Sequence, residues 1–421
     1  MNTKKITFEN YKAFEKEQSF EIKPITILIG KNSSGKSSLM RLPLLLANAF
    51  SNSNEDELIN LQFSDLELGY EFKDLLYNKY ETRILRLGIE FEDEGSNVIW
   101  SVGIQNFAEL DKQIISEFDF TSDEFQISLR LEMDSPDLNL YSGIVNGIKI
   151  EYSIFGFNRL LPFLYVGNDK KTAEHIEKLR LTYNEKLTLL LKKLNYLLPF
   201  RAFPKRFYSN KKNNSSLYDF NGETIPVQLF DDEVLLKKVI HWYNNNLDIA
   251  NIRLNNIDRR GDYFEVNIFQ KQAENVPVNL VDVGQGISQS LPIVTQALMN
   301  RENKIDIVEQ PELHLHPAAH GNIASLMVNS ALQNRNSKYI IETHSENFIL
   351  RIRRLVAEGV ISKDWVNIYW IDYDIDEGSS SLEKITLDDH GEVDFWPEGI
   401  FSEAFEEVKA IRKAQRTQKV V

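Results

Sequence analysis

The sequence predicts an α/β fold: a mixed, mostly parallel sheet around a phosphate-binding loop, an antiparallel sub-sheet beside it, and an inserted helical arm. Three observations predict it. Residues 25–38 read ITILIGKNSSGKSS, an apolar run that breaks at Gly30 into the pattern G-x-x-x-x-G-K-[ST]. After residue 286, short apolar runs alternate with helix-like stretches, as strands feeding a parallel sheet do. Between residues 84 and 154 several β-like runs follow one another with no helix between them, which favours antiparallel pairing.

In the phosphate-binding loop each residue type has a task. Gly30 and Gly35 permit backbone angles that a Cβ forbids and leave room for phosphate oxygens. The loop between them is Lys31, Asn32, Ser33 and Ser34. The amides of Ser34 to Ser38 are expected to point inward at the start of a helix, whose positive end favours an anion. The Lys36 ammonium suits the β- and γ-phosphates, and the Ser37 hydroxyl suits Mg²⁺. An ordinary Gly/Ser turn between strand and helix is the plain alternative.

Taken in order, strands are expected over 6–8, 19–22 and 25–29, then a polar surface loop over 51–57. Further strands are expected over 84–91, 98–104, 125–132 and 148–154. Over 172–198 the apolar residues Ile176, Leu179, Tyr183, Leu187, Leu190, Leu191, Leu194 and Leu198 recur mostly at spacings of three and four. That spacing predicts one amphipathic helix roughly 40 Å long, stopped by Pro199 and standing out as an arm or lid. Residues 200–218 hold Arg201, Lys205, Arg206, Lys211 and Lys212 among five aromatics. Basic and aromatic residues together suit single-stranded nucleic acid, or equally a loop whose aromatics pack while its charges face water. A strand is expected over 264–268, a helix over 287–300, a strand over 305–308 and a helix from Pro317 to 333. A strand over 339–341 and a helix over 347–358, closed by Gly359, follow. The expected domains are an N-terminal lobe (1–165), an inserted arm and basic loop (166–260) and a C-terminal lobe (261–421).

Composition narrows the class. The 421 residues are 42% apolar and 26% charged, as in a soluble globular chain. There is no cysteine, so disulfides and thiolate metal sites are excluded and a reducing, cytoplasmic location is expected. The N-terminus lacks a signal-peptide pattern and no apolar run reaches the ~20 residues of a membrane span, so no membrane partner is expected. The net charge is −14, which excludes generic nucleic-acid binding outside a local basic patch.

Four further pieces accompany the loop. Gly284, Gly286, Ser288 and Gln289 stand in VGQGISQ at the start of a helix, and IDIVEQPE delivers Glu309, Gln310 and Glu312 from the end of an apolar strand. The run LHLHP follows at once, and IIETHS ends a strand at His344. Here the chain resembles the ABC-type ATPases, in the branch of the SMC and RecF proteins and the overcoming-lysogenization-defect (OLD) ATPases. It is most similar to the single-chain AAA-type ATPases of prokaryotic antiphage defence systems. The matching motifs are Walker A (Gly30 to Ser37), the signature, Walker B and the His switch, with Ser288 21 positions before Glu309 and His344 35 after it. LLPFRAFPKR at 197–206 and WPEG at 396–399 match as well.

The resemblance implies an ABC-type P-loop NTPase core with ATP and Mg²⁺ as cofactors. Lys36 would hold the β- and γ-phosphates, Ser37 and Glu309 the Mg²⁺, and His344 the γ-phosphate. Gly284, Gly286, Ser288 and Gln289 would act in trans, so a homodimer or higher oligomer is implied. The position of the usual catalytic glutamate is Gln310, which orients water but takes no proton. Glu312, beyond Pro311, is the nearest substitute, and slow hydrolysis is expected. The Q-loop residue is not identifiable, Gln62 being the nearest candidate.

Several alternatives stay open. His314 and His316 with Glu309 or Glu312 suggest a zinc set. Glu342 reads as a salt-bridge partner for Arg351 or Arg353, Arg201 as a loop residue, and Arg351, Arg353 and Arg354 as a solvated face or a contact surface. Only 77 residues follow His344, so no nuclease domain is expected and any effector would be a separate chain. The favoured function is an ATP-dependent sensor or scaffold controlling that effector. The rivals are a DNA-gripping repair or chromosome-handling ATPase, and a nucleotide-locked binding module with negligible turnover.

Overall fold

The computed structural model describes residues 2–64, 66–107, 112–132, 139–166, 169–211, 219–334, 336–397 and 403–418. At its centre is a six-stranded sheet in the order Leu194–Leu197, Ile305–Glu309, Lys338–Glu342, Ile25–Gly30, Val366–Asp374, Ser379–Ile385. The first five strands are parallel and the last is antiparallel. Every residue of Ile25–Gly30, Ile305–Glu309 and Lys338–Glu342 is buried, because both faces of the sheet are covered. Successive side chains alternate between two cores. Leu28, Ile307 and Ile340 face one, shared with the helix Lys36–Ser51, while Ile27, Val308 and Ile341 face the other, shared with the helices Gln285–Leu298, Pro317–Gln333 and Glu346–Ala357.

The expected antiparallel sub-sheet is a nine-stranded sheet. It runs in reverse chain order from Leu161–Val166 to Leu85–Asp93 and ends with Asn2–Glu9 and Gln18–Glu21. Three of its strands escape sequence reading: Lys112–Thr121, Leu140–Val145 and Leu161–Val166.

The segment 172–198 differs from expectation in two ways. The helix is Lys170–Lys193, roughly 36 Å long. It lies along the antiparallel sheet, with Ile176, Leu179, Tyr183 and Leu187 in the first core, so it does not stand out as an arm. Leu194–Leu197, expected as its last turn, is instead the edge strand that pairs in parallel with Ile305–Glu309. Leucines at such spacing satisfy either period, and the free edge of the central sheet decides the outcome. Among the described residues no helix is long and apolar enough to cross a membrane.

Candidate nucleotide site

Parallel packing brings the ends of three neighbouring strands together. Ile25–Gly30 runs into the loop, Ile305–Glu309 into Gln310, and Lys338–Glu342, which lies between them, into His344. Two glycines shape the loop. A Cβ on Gly30 would lie 2.3 Å from the Ile371 carbonyl oxygen, and Gly35 sits at φ +100, where a Cβ would lie 2.9 Å from the Phe14 ring. Lys36 Nζ donates to the carbonyls of Gly30 (2.9 Å) and Lys31 (2.6 Å), so the ammonium is held under the loop. Burial pushes its pKa down, opposed by Glu342. Ser34 is buried and its hydroxyl has no partner among the described residues. A glycine cradle, an orphaned hydroxyl, an ammonium and the free amides of a helix start fit a phosphate chain.

Carboxylates face this loop. Glu309 is buried and accepts a hydrogen bond from the Tyr196 hydroxyl, and burial raises its pKa, with Tyr196 and the cation Arg41 opposing. Glu342 stands in register with Glu309 and accepts from Ser37 Oγ at 3.4 Å. Burial and the neighbouring Glu309 push Glu342 up to about 7, against Lys36 and Ser37. His344 Nε2 lies 3.9 Å from Glu342, and burial and Lys36 push its pKa down, so the ring is neutral near pH 7. The hydroxyl of Ser37 and the Glu309 carboxylate are hard oxygen donors, of the kind that would suit Mg²⁺.

A titration follows from this burial. A carboxyl that titrates near 7 when folded, against about 4.3 when unfolded, binds its proton more tightly in the native state. Its contribution to stability is therefore present at acid pH and is lost as pH rises through about 7, by on the order of 3 kcal/mol. Urea unfolding of the nucleotide-free protein at pH 5 and pH 8 is expected to show this loss in the wild type and a smaller one in Glu342→Gln. Equal losses would contradict it.

Several expected site residues lie elsewhere or do something else. Arg201 is buried and is no nucleic-acid contact. Its guanidinium donates to the carbonyls of Pro199, Glu309 and Gln310, and its amide donates to Gln289 Oε1 at 3.1 Å. Burial lowers its pKa to about 10, opposed by Glu312 and Glu309. Lys205 pairs with Glu223, Arg206 with Asp282 at 2.9 Å and Lys211 with Asp262 at 3.3 Å, so each of these three described cations has an acidic partner. Lys212 lies outside the described residues. Gln289 is buried against Arg201 and does not face outward. Ser288 is only 7% exposed and its hydroxyl donates to the Gln285 carbonyl. Gly284 is exposed, and Gly286 packs so that a Cβ would lie 2.9 Å from the His314 carbonyl oxygen.

Glu312 is buried and accepts from the His344 amide at 2.8 Å, which ties the loop after Glu309 to the loop carrying His344. His316 caps the helix that starts at Pro317, accepting from Ala318 N. Gln62 sits in a short hairpin with its amide donating to the Ser64 carbonyl. Arg351 donates to Ser325, Arg353 to Gly391 and Glu392, and Arg354 to Glu358, so none of them pairs with Glu342. Tyr196 and Glu342 are the site residues that sequence reading missed. Glu342, an acid ending an apolar strand directly before Thr343-His344, carried a signal; Tyr196 carried none.

The AAA ATPase domain family matches residues 1–349. The chain belongs to that family. No curated protein matches this AAA ATPase. Among solved structures it is similar to an SMC head bound to the C-winged helix domain of ScpA, at 12% identity and a TM-score of 0.49, covering 92% of this chain and 98% of that one. It is also similar to the SMC head domain from Thermotoga maritima, at 9% identity and TM-score 0.44, covering 92% and 100%. A third is the Smc head with an extended coiled coil bound to the C-terminal domain of ScpA from Pyrococcus furiosus, at 11% identity and TM-score 0.45, covering 98% and 99%.

Proposed function

We propose that this AAA ATPase binds Mg²⁺-ATP between two copies of itself, hydrolyses it slowly, and thereby holds or releases a separate effector in antiphage defence. The observation that carries the catalytic part is the convergence of Lys36, Glu309 and His344 on one end of the central sheet. Lys36 and the helix-start amides would hold the β- and γ-phosphates, and Ser37 and Glu309 would hold the Mg²⁺, which would supply positive charge against the phosphate oxygens. His344, neutral and half exposed, donates toward the γ-phosphate. Gln310 orients water without taking its proton. The sensor role rests on the resemblance of the motifs to defence ATPases. The ion pairs of Lys205, Arg206 and Lys211 take support from a direct grip on DNA by that stretch.

Dimerisation is tested at Gly284. It is exposed, and a Cβ there meets nothing within 4 Å, so a long side chain leaves the chain's own packing intact. Ser288, being covered, does not offer this separation. By light scattering the wild type is expected to double in mass with ATP, while Gly284→Arg stays monomeric and still binds ATP, more weakly by the share that dimerisation contributes. A wild type that hydrolyses ATP as a strict monomer overturns the proposal.

A further inference from the structure

Glu342 has no part in the reading above, yet it stands closer to the phosphate loop in the sheet than Glu309 does. We propose that Glu342 is a carboxylate of the Mg²⁺ site, holding the cation of bound ATP together with Ser37 and Glu309. This rests on the reading of the loop as an ATP site.

Three observations carry it. The first is order in the sheet. Lys338–Glu342 separates the loop strand from the Glu309 strand, so Glu342 pairs with Leu28 on one side and Glu309 on the other. Neighbouring strands lie about 4.8 Å apart, so the two strand-end carboxylates are adjacent and Glu342 is the one next to the loop strand. The second is the direction of Ser37. Its hydroxyl, the donor suited to Mg²⁺, faces Glu342 Oε2 at 3.4 Å. The third is charge. Glu309 has compensation on its far side, from the Tyr196 hydroxyl and Arg41, whereas Glu342 has Ser37 and Lys36, both of them loop residues. Arg351 and Arg353 are engaged elsewhere. Two buried carboxylates and a hydroxyl at the mouth of a phosphate loop form an oxygen donor set of the kind hard divalent cations take.

The arrangement has a consequence for binding. With no cation present, the ionised form of Glu342 would repel the γ-phosphate, so ATP binding is expected to be tighter with the metal than without it. Removing the charge weakens that dependence from both ends.

The experiment is calorimetric titration of ATP into wild type, Glu342→Gln, Glu342→Asp and Lys36→Ala, each with Mg²⁺ and with EDTA. Loss of a carboxylate that holds or orients a metal typically costs about 10–100-fold in metal affinity. Glu342→Gln is expected to bind metal-free ATP at least as tightly as wild type and to lose 10–100-fold in the apparent affinity for Mg²⁺. Electron paramagnetic resonance with Mn²⁺ and ATP reads the same loss directly. Glu342→Asp, which keeps the charge on a shorter stem, is expected to fall between the two and serves if the amide variant does not fold. An unchanged Mg²⁺ affinity in the folded Glu342 variants overturns the proposal while leaving the ATP site standing. A wild type that binds no ATP under either condition, like Lys36→Ala, overturns the site itself and the proposal with it.

Discussion

Lys36→Ala is expected to remove ATP binding and to leave the fold intact. The ammonium is the only side-chain cation held directly beneath the loop among the described residues, bonded to the carbonyls of Gly30 and Lys31. A charge-assisted hydrogen bond to phosphate contributes about 1.5–3 kcal/mol. Two such bonds make roughly 3 kcal/mol or more, so affinity falls by at least about 100-fold. Folding should suffer little, because burial already lowers the Lys36 pKa and the charge is a cost to the empty protein. The measurement pairs ATP titration with thermal melting. A folded Lys36→Ala protein with wild-type affinity would falsify the site assignment.

Gln310→Glu is expected to speed hydrolysis. A positioned general base typically contributes about 10²–10⁴-fold, and an amide at this position forgoes it. The backbone is prepared for the exchange. Gln310 sits at φ 44, its amide donates to the Glu342 carbonyl at 2.8 Å, and its own carbonyl accepts from Arg201 at 3.1 Å. A carboxylate placed there inherits that anchorage. Glu312 is not expected to substitute for it, because the residue is buried and one of its carboxylate oxygens is held by the His344 amide. Glu312→Gln keeps an acceptor oxygen for that amide and is expected to change turnover less than tenfold. Glu309→Gln should weaken Mg²⁺-ATP handling in every case. Steady-state phosphate release separates these outcomes. If Gln310→Glu is no faster while Glu312→Gln binds ATP but is inactive, Glu312 is the base.

The two expectations differ in how they came to be legible. Lys36 and Ser37 could be placed from sequence because the loop is local: eight residues, two glycines and a helix start define it within one turn of chain. The Gln310 question also arose locally, from one residue beside Glu309. What Glu312 does was not local. Its partner is an amide 32 residues away, on a different strand end.

The sequence by itself marked three of the six central strands, at 25–29, 305–308 and 339–341, since short, mostly apolar runs alternating with helix-like stretches suit a parallel sheet covered on both faces; Val366–Asp374 and Ser379–Ile385 were not read from it. It also determined the chemistry of the loop, because backbone freedom at glycine and the reach of a lysine are properties of neighbouring residues. Tertiary structure alone decided the fate of residues 194–197, where leucine spacing allowed helix or strand and the open sheet edge chose strand. It set Glu223, Asp282 and Asp262 beside Lys205, Arg206 and Lys211, and it buried Arg201 against the carbonyls of Glu309 and Gln310. It placed Glu342 beside Ser37, 305 positions away, because the order of strands in a sheet is set by how faces pack and not by their order in the chain.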